Sequence, residues 1–294
     1  MYKPSISPPV LSISFVLAGP LVTVLPSDTV VDVLRTFRRK KISCAPILRN
    51  AGDKDFQLVD VVDISTFITN SFVQLGEKKF IENVDVLLRV TCDQLADFSA
   101  QNPTHTIPTS ASIPDVLNLM KETGTYRLAL MDTNEHLTQL VTQTNLVEFA
   151  LLNLDRLQRE PDKTIRELGL LPTAPVFTCS DALSTMEVLQ EMRNRNVTAV
   201  PIVNKQGVMN GMMTVRHLKT LATDNVDNLF LSVSKFLQLI TATYMTGNID
   251  MTLRDLLRIM VVNTVHHLFF VDDNGGVYGV VTLTDLISWC FEER

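Results

Sequence analysis

Apolar and polar positions follow one pattern that occurs four times along the chain. An acidic residue precedes two aliphatics, and a Phe or Met stands one helical turn beyond. The copies are Asp32-Val33-Leu34 with Phe37, Asp115-Val116-Leu117 with Met120, Glu187-Val188-Leu189 with Met192, and Asp255-Leu256-Leu257 with Met260. This spacing puts the apolar side chains on one face of a helix. A β-like run follows at a fixed distance, since Leu34, Leu117, Leu189 and Leu257 lie 12 residues before Pro46, Ala129, Pro201 and Phe269. A second helix is expected to open at Asp63, Thr142, Thr214 and Thr282. The gap from the β anchor to that opening is 13 residues in the last three copies and 17 in the first. Repetition at a fixed period decides fold class ahead of any single residue.

Each unit reads as helix, strand, strand, helix. In the first, Ser27 or Asp28 is the expected cap of a helix carrying Val30, Val33, Leu34 and Phe37, because short polar side chains satisfy free amides at helix starts. Residues 44–48 and 57–62 form the strand pair and 64–72 the second helix. The longer gap is assigned to the polar turn at 52–55, where insertion costs little. Later strand pairs are 128–131 with 138–141, 200–203 with 211–213, and 268–271 with 277–281. The units fall at 10–72, 104–153, 164–224 and 242–292. Alone, each buries too little surface to be stable. Pairing of first with second and third with fourth is therefore expected, with the charged, Pro161-containing stretch 155–163 between the pairs.

Composition narrows the function. A net charge of −6 over 294 residues argues against a nucleic-acid partner. The one basic cluster, Arg38-Arg39-Lys40-Lys41, closes a helix, where cations suit the dipole. Four cysteines with no CxxC spacing read as reduced thiols of a cytoplasmic or nuclear protein, with no disulfide or zinc framework. The apolar stretch 10–25 is broken by Gly19 and Pro20 and is too short for a membrane span. It lacks the basic flank of a signal peptide and reads as lead-in to the first unit. No nucleophile–base pair, metal-ligand cluster or phosphate-cradling glycine loop is present, so no enzyme is expected.

Two short signatures repeat with the units. One is a strand of small residue, Pro and hydrophobe: Ala45-Pro46-Ile47, Val200-Pro201-Ile202 and, without proline, Leu128-Ala129-Leu130. The other is Gly-hydrophobic-hydrophobic-Thr-x-x-Asp, complete in Gly279-Val280-Val281-Thr282-Leu283-Thr284-Asp285. On these signatures the chain resembles CBS-domain proteins, whose βαββα modules work in pairs. Four copies resemble the gamma regulatory subunit of AMP-activated protein kinase and its stand-alone relatives. The resemblance implies an α/β (α+β) fold of four tandem CBS repeats in two pairs, arranged as a disk. It implies a regulatory adenine-nucleotide sensor for AMP, ADP or ATP, with a protein kinase catalytic or scaffold subunit as partner. The alternative is a non-catalytic interaction scaffold that has lost nucleotide binding.

The Thr-x-x-Asp element has its own physical logic. Thr282 sits where a hydroxyl caps free amides, and Asp285 lies one turn in on the same face. A carboxylate only accepts hydrogen bonds, which suits the donor hydroxyls of a ribose. Capping alone is the other reading of Thr282 and Asp285, and the presence of the whole motif in this copy favours ligand binding. The resemblance makes Asp285, Thr282 and Thr284 the ribose side of a site, and brings Val197 and Thr198 to it. The other copies depart from the element. The first has Asp60 at the glycine place, Asp63 at the Thr place and Thr66 at the Asp place. The second offers Thr142 and Asn145, and the third Thr214 and His217. For phosphate, the resemblance points to Arg127, His266 and the weaker cation His267. Arg127 pairing with a local carboxylate is the other reading, and Lys205 and Arg216 read as solvated.

Overall fold

The computed structural model describes residues 20–50, 53–101, 103–157, 160–171, 174–222 and 225–292. The first unit holds helix α1 (Val30–Lys40), strands β1 (Cys44–Ile47) and β2 (Gln57–Asp60), and α2 (Val61–Glu82), whose helical path is broken at Gly76 (φ 73°, ψ 163°). Short helices α3 (Val84–Leu87) and α4 (Cys92–Leu95) follow. The second unit holds β3 (Thr106–Pro108), α5 (Ile113–Thr123), β4 (Arg127–Met131), β5 (Leu137–Thr142) and α6 (Gln143–Leu152). The third opens with α7 (Ile165–Leu168) and β6 (Cys179–Ser180), then α8 (Thr185–Asn194), β7 (Ala199–Val203), β8 (Met209–Thr214) and a 3-10 segment, Val215–Ala222. After α9 (Val233–Leu239), the fourth holds β9 (Thr246–Gly247), α10 (Leu253–Val262), β10 (His267–Val271), β11 (Val277–Thr282) and α11 (Leu283–Phe291).

The acid of the fourfold pattern has a local job. It sits at the third helical position and closes a capping box with the residue before the helix: Thr29 with Asp32, Ser112 with Asp115, and Ser184 with Glu187. Thr252 and Asp255 exchange the same kind of bond. Such caps satisfy amides that have no partner inside the helix. The first cap is Thr29, so neither Ser27 nor Asp28 fills that place. Lys41 ends α1 in the left-handed region at φ 57°, behind Arg38, Arg39 and Lys40. The aliphatics after each acid, and Phe37, Met120, Met192 and Met260, face the core.

Three of the four sheets have three strands, with the long hairpin flanked by a short parallel strand. In the first unit a single parallel bridge from Val24 to Ile47 takes that place. Most of the apolar stretch at 10–25 lies outside the described residues.

Units one and two meet through the Arg127–Asp60 and Lys54–Glu135 ion pairs at their strand and turn ends, and units three and four meet through their sheets, as the pairing argument expects. Ala199, Met209, Met212 and Phe269 form a shared cluster between the last two sheets, and Met209 N–H donates to Gly275 O at 2.9 Å. Helix faces make a second set of contacts that the sequence reading does not anticipate. The α1 and α2 helices pack on α8 and Val215–Ala222, so one apolar core spans units one and three. The α6 helix packs on α10 and α11, and a second core spans units two and four. Each unit thus touches two others, and polar pairs cross the junctions between them: Arg127 with Asp60, Thr198 with His267, Thr144 with His266 and Lys219 with Ser43.

Strand register corrects the alignment of the first unit. Pro46 stands opposite Leu58 and Cys44 opposite Asp60. In the third unit Pro201 stands opposite Met212 and Ala199 opposite Thr214. Asp60 is therefore the counterpart of Thr214, Thr142 and Thr282. It lies 14 residues after Pro46, one more than elsewhere. Asp63, not Thr66, takes the place of Asp285. Consistently, Asp60 caps α2 and Asp63 is its capping-box partner.

Candidate functional site

The fourth unit builds its site at the end of a hairpin. His267 opens β10 opposite Thr282, the last residue of β11. Thr282 then caps α11, and its N–H and Oγ each donate to Asp285 Oδ2 at 2.7 Å. Asp285 N–H returns a bond to Thr282 Oγ at 3.3 Å. Both bonds accepted by the carboxylate fall on Oδ2, and Oδ1 accepts no hydrogen bond among the described residues. Capping and ligand contact are thus compatible here, because each has its own oxygen.

Several predicted residues converge on this place. A 3.4 Å hydrogen bond links Thr198 Oγ and His267 Nε2, joining the third and fourth units. A 3.3 Å bond links Thr144 Oγ and His266 Nε2, joining the second and fourth. Gln143 Nε2 donates to Thr284 Oγ at 3.1 Å. Val197 differs: its side chain packs against the core of units one and three.

The charge distribution departs from the expectation. His266 and His267 are not cations at neutral pH, because burial pushes them down to about 3 and about 4. The Asp285 charge opposes that shift at His267 without reversing it. Arg127 is positively charged but already engaged, as its Nη1 donates to Asp60 Oδ2 at 2.7 Å. The side chains of that pair are 13% and 1% exposed. Two further cations reach the junction. Arg216 Nη1 donates to Thr264 O at 2.7 Å, crossing from the third unit to the fourth. Lys219, on the 3-10 segment, is buried, and its Nζ donates to Ile42 O and to Ser43 Oγ. Burial pushes its amine down to about 7. Arg127, Arg216 and Lys219 all bear electrostatically on His266.

The remaining copies are closed by local bonds. Thr142 N–H and Oγ donate to Asn145 Oδ1 at 3.0 and 2.7 Å. Thr214 N–H donates to His217 Nδ1 at 3.3 Å, and burial pushes His217 down to about 4. In the first unit Asp63 Oδ2 accepts from Asp60 N–H at 2.8 Å. Its Oδ1 accepts from Ser99 N–H at 2.9 Å and from Ser99 Oγ at 2.7 Å. Burial and the Asp60 charge push Asp63 up to about 7.

Sequence reasoning missed Lys219, misplaced Asp63 at the threonine position, and missed Ser99. A lysine between Leu218 and Leu221, in a segment that also carries Val215 and Ala222, was the available signal for the first. Strand register was the signal for the second, and nothing local marks Ser99. A cavity of about 390 Å³ beside Phe177 and Glu191 and another of about 130 Å³ beside Gly211 and Tyr244 do not touch the predicted residues.

The CBS domain model matches residues 15–71, 95–151, 165–223 and 239–292. The chain belongs to the CBS-domain family. It is 27% identical over 180 residues to the 5'-AMP-activated protein kinase subunit gamma of Kluyveromyces lactis, covering 58% of this chain and 55% of that one. The Saccharomyces cerevisiae subunit gives 26% over 180 residues, with the same coverage. The chain thus spans about half the length of these relatives. In fold it is similar to protein MJ1225 of Methanocaldococcus jannaschii, with TM-score 0.74 and 16% identity over 95% of this chain and 99% of that one. Four CBS repeats in a mixed α/β fold are therefore established. Among the described residues no helix is long and apolar enough to cross a membrane.

Proposed function

We propose that this CBS protein is a regulatory adenine-nucleotide sensor with one principal site, at Asp285. The observation that carries this reading is the open Oδ1 of Asp285, held by its cap beside His267 and Thr198 where the units meet. A ribose hydroxyl donates to that oxygen. The neutral rings of His266 and His267 and the hydroxyls of Thr198 and Thr284 supply further polar contacts. Arg216 supplies positive charge for phosphate, Lys219 adds charge only in its protonated form because burial pushes its amine down to about 7, and the paired Arg127 adds field without a free donor fork. Similarity to kinase gamma subunits supports AMP, ADP or ATP as ligand and a kinase catalytic or scaffold subunit as partner. Bound nucleotide would act by favouring one arrangement of the paired units, which the partner reads.

The test is calorimetric titration with AMP, ADP and ATP of wild type and Asp285→Ala. Saturable heat with wild type, lost in the variant, is expected. No heat or thermal shift with any of the three removes the sensor reading. The scaffold reading has one observation in its favour. The Thr282–Asp285 box has the same local geometry as Ser112–Asp115 and Ser184–Glu187, which only cap helices. Co-purification from cell extract tests the kinase partner under either reading.

A further inference from the structure

Asp63 and Asp285 occupy matching places, and both spend Oδ2 on the helix cap. They differ at Oδ1. On Asp285 it is open, whereas on Asp63 one residue fills it with two donors, the N–H and hydroxyl of Ser99. Two adjacent donors on one carboxylate oxygen are what a vicinal diol offers. We propose that residues 96–101 form a built-in stopper, in which Ser99 holds the first unit's acceptor closed against an outside ligand until the segment is displaced. This rests on the reading of Asp285 as a hydroxyl acceptor and adds a regulatory element to it.

The stopper's attachment is short and local. Asp97 N–H donates to Leu58 O at 3.2 Å, and Phe98 meets Phe67 edge-on with centroids 5.7 Å apart. Against these contacts stand several costs. Asp97 and Ala100 adopt φ of 46° and 53°, which disfavours residues other than glycine. Asp97 Oδ1 is buried with no hydrogen-bond partner among the described residues, a state that destabilises the closed form. Phe98 remains 40% exposed. The stopper therefore combines one specific bidentate contact with a strained backbone, which lowers the free energy needed to lift it away. The Asp63 side chain beneath keeps its position without it, because Asp60 N–H still holds Oδ2 and Arg127 still balances Asp60.

The experiment is AMP stoichiometry by calorimetry on the full chain. Ser99→Ala removes the hydroxyl donor, and Ser99→Pro removes both donors; circular dichroism checks that each folds. The stopper predicts one more equivalent of AMP in the Ser99 variants than in wild type, and loss of that extra equivalent in Ser99→Ala/Asp63→Ala. Folded Ser99→Ala and Ser99→Pro proteins that bind no more AMP than wild type overturn it. An extra equivalent that survives Asp63→Ala also overturns it. The Asp285 reading is scored separately, by whether Asp285→Ala removes the wild-type equivalent.

Discussion

Replacing Arg127 by Met leaves Asp60 as a buried carboxylate without its counter-charge. The Asp60 side chain is 1% exposed, and its Oδ2 sits 2.7 Å from the guanidinium nitrogen. At an effective dielectric near 20, unit charges about 4 Å apart attract by about 4 kcal/mol. Removing one partner of a buried pair typically costs ~3–5 kcal/mol, since the remaining charge stays desolvated. The lower end applies here. Asp60 Oδ1 keeps two capping donors, Val62 N–H at 2.7 Å and Asp63 N–H at 3.0 Å. Asp63 lies close by and already feels the Asp60 charge, so losing Arg127 also raises the cost of ionising Asp63.

Arg127→Met is therefore expected to lose about 3 kcal/mol. At roughly 2–4 °C per kcal/mol for a protein somewhat smaller than this one, the melting temperature falls by about 6–12 °C. Asp60→Asn removes the charge but keeps a capping oxygen. The double variant Arg127→Met/Asp60→Asn should accordingly recover most of the loss, because a buried pair replaced on both sides is often near neutral. Urea unfolding of the four proteins closes the cycle. A coupling energy near zero, or an Arg127→Met loss within 1 kcal/mol of wild type, would refute the reasoning. In either case Arg127 would be free to serve a ligand rather than the fold.

Stability should rise with pH from about 4 to 6.5. His217, His266 and His267 are held neutral by burial, so the unfolded chain binds three protons that the folded chain does not. Asp63, pushed up to about 7, works the other way by one proton. The net two protons give at most ~3 kcal/mol per pH unit, lost on acidification below 6.5. Asp63→Asn should steepen that loss, and urea midpoints that stay flat between pH 5 and 7 would contradict the assignment. Gly247→Ala should destabilise by about 1–3 kcal/mol through overpacking. The added Cβ would lie 2.8 Å from the buried Phe270 ring and 3.0 Å from Met251 Sδ, and a melting temperature equal to wild type would show that the ring moves aside freely.

The scaffold was legible in the sequence because its signals are local. The acid at the third helical position and the aliphatics behind it lie within one turn of each other, so periodicity and capping report them together. The first unit's polar site was misaligned for the opposite reason. Spacing alone placed Asp63 opposite the threonines, and only the pairing of Cys44 with Asp60 moves it to the place of Asp285. Lys219 and Ser99 were invisible because their partners are distant in sequence. Lys219 reaches Ser43 across 176 residues, and Ser99 reaches Asp63 across 36. The helix-face contacts between units one and three have the same character, since an apolar stripe predicts burial without naming the surface that covers it.

The asymmetry among the units follows from how each polar position is satisfied. Equivalent backbone places hold Asp63, Asn145, His217 and Asp285, and a capping or local bond engages one acceptor on each. A neutral imidazole has one acceptor nitrogen, so His217 is spent by Thr214. Asn145 keeps amide donors after its oxygen is used, which makes it a poor match for a hydroxyl donor. A carboxylate has two oxygens and can cap and bind at once, so only Asp63 and Asp285 retain that capacity. Ser99 removes it from Asp63. A single open acceptor in a fourfold repeat thus requires no difference in scaffold, only one carboxylate left with an oxygen to spare.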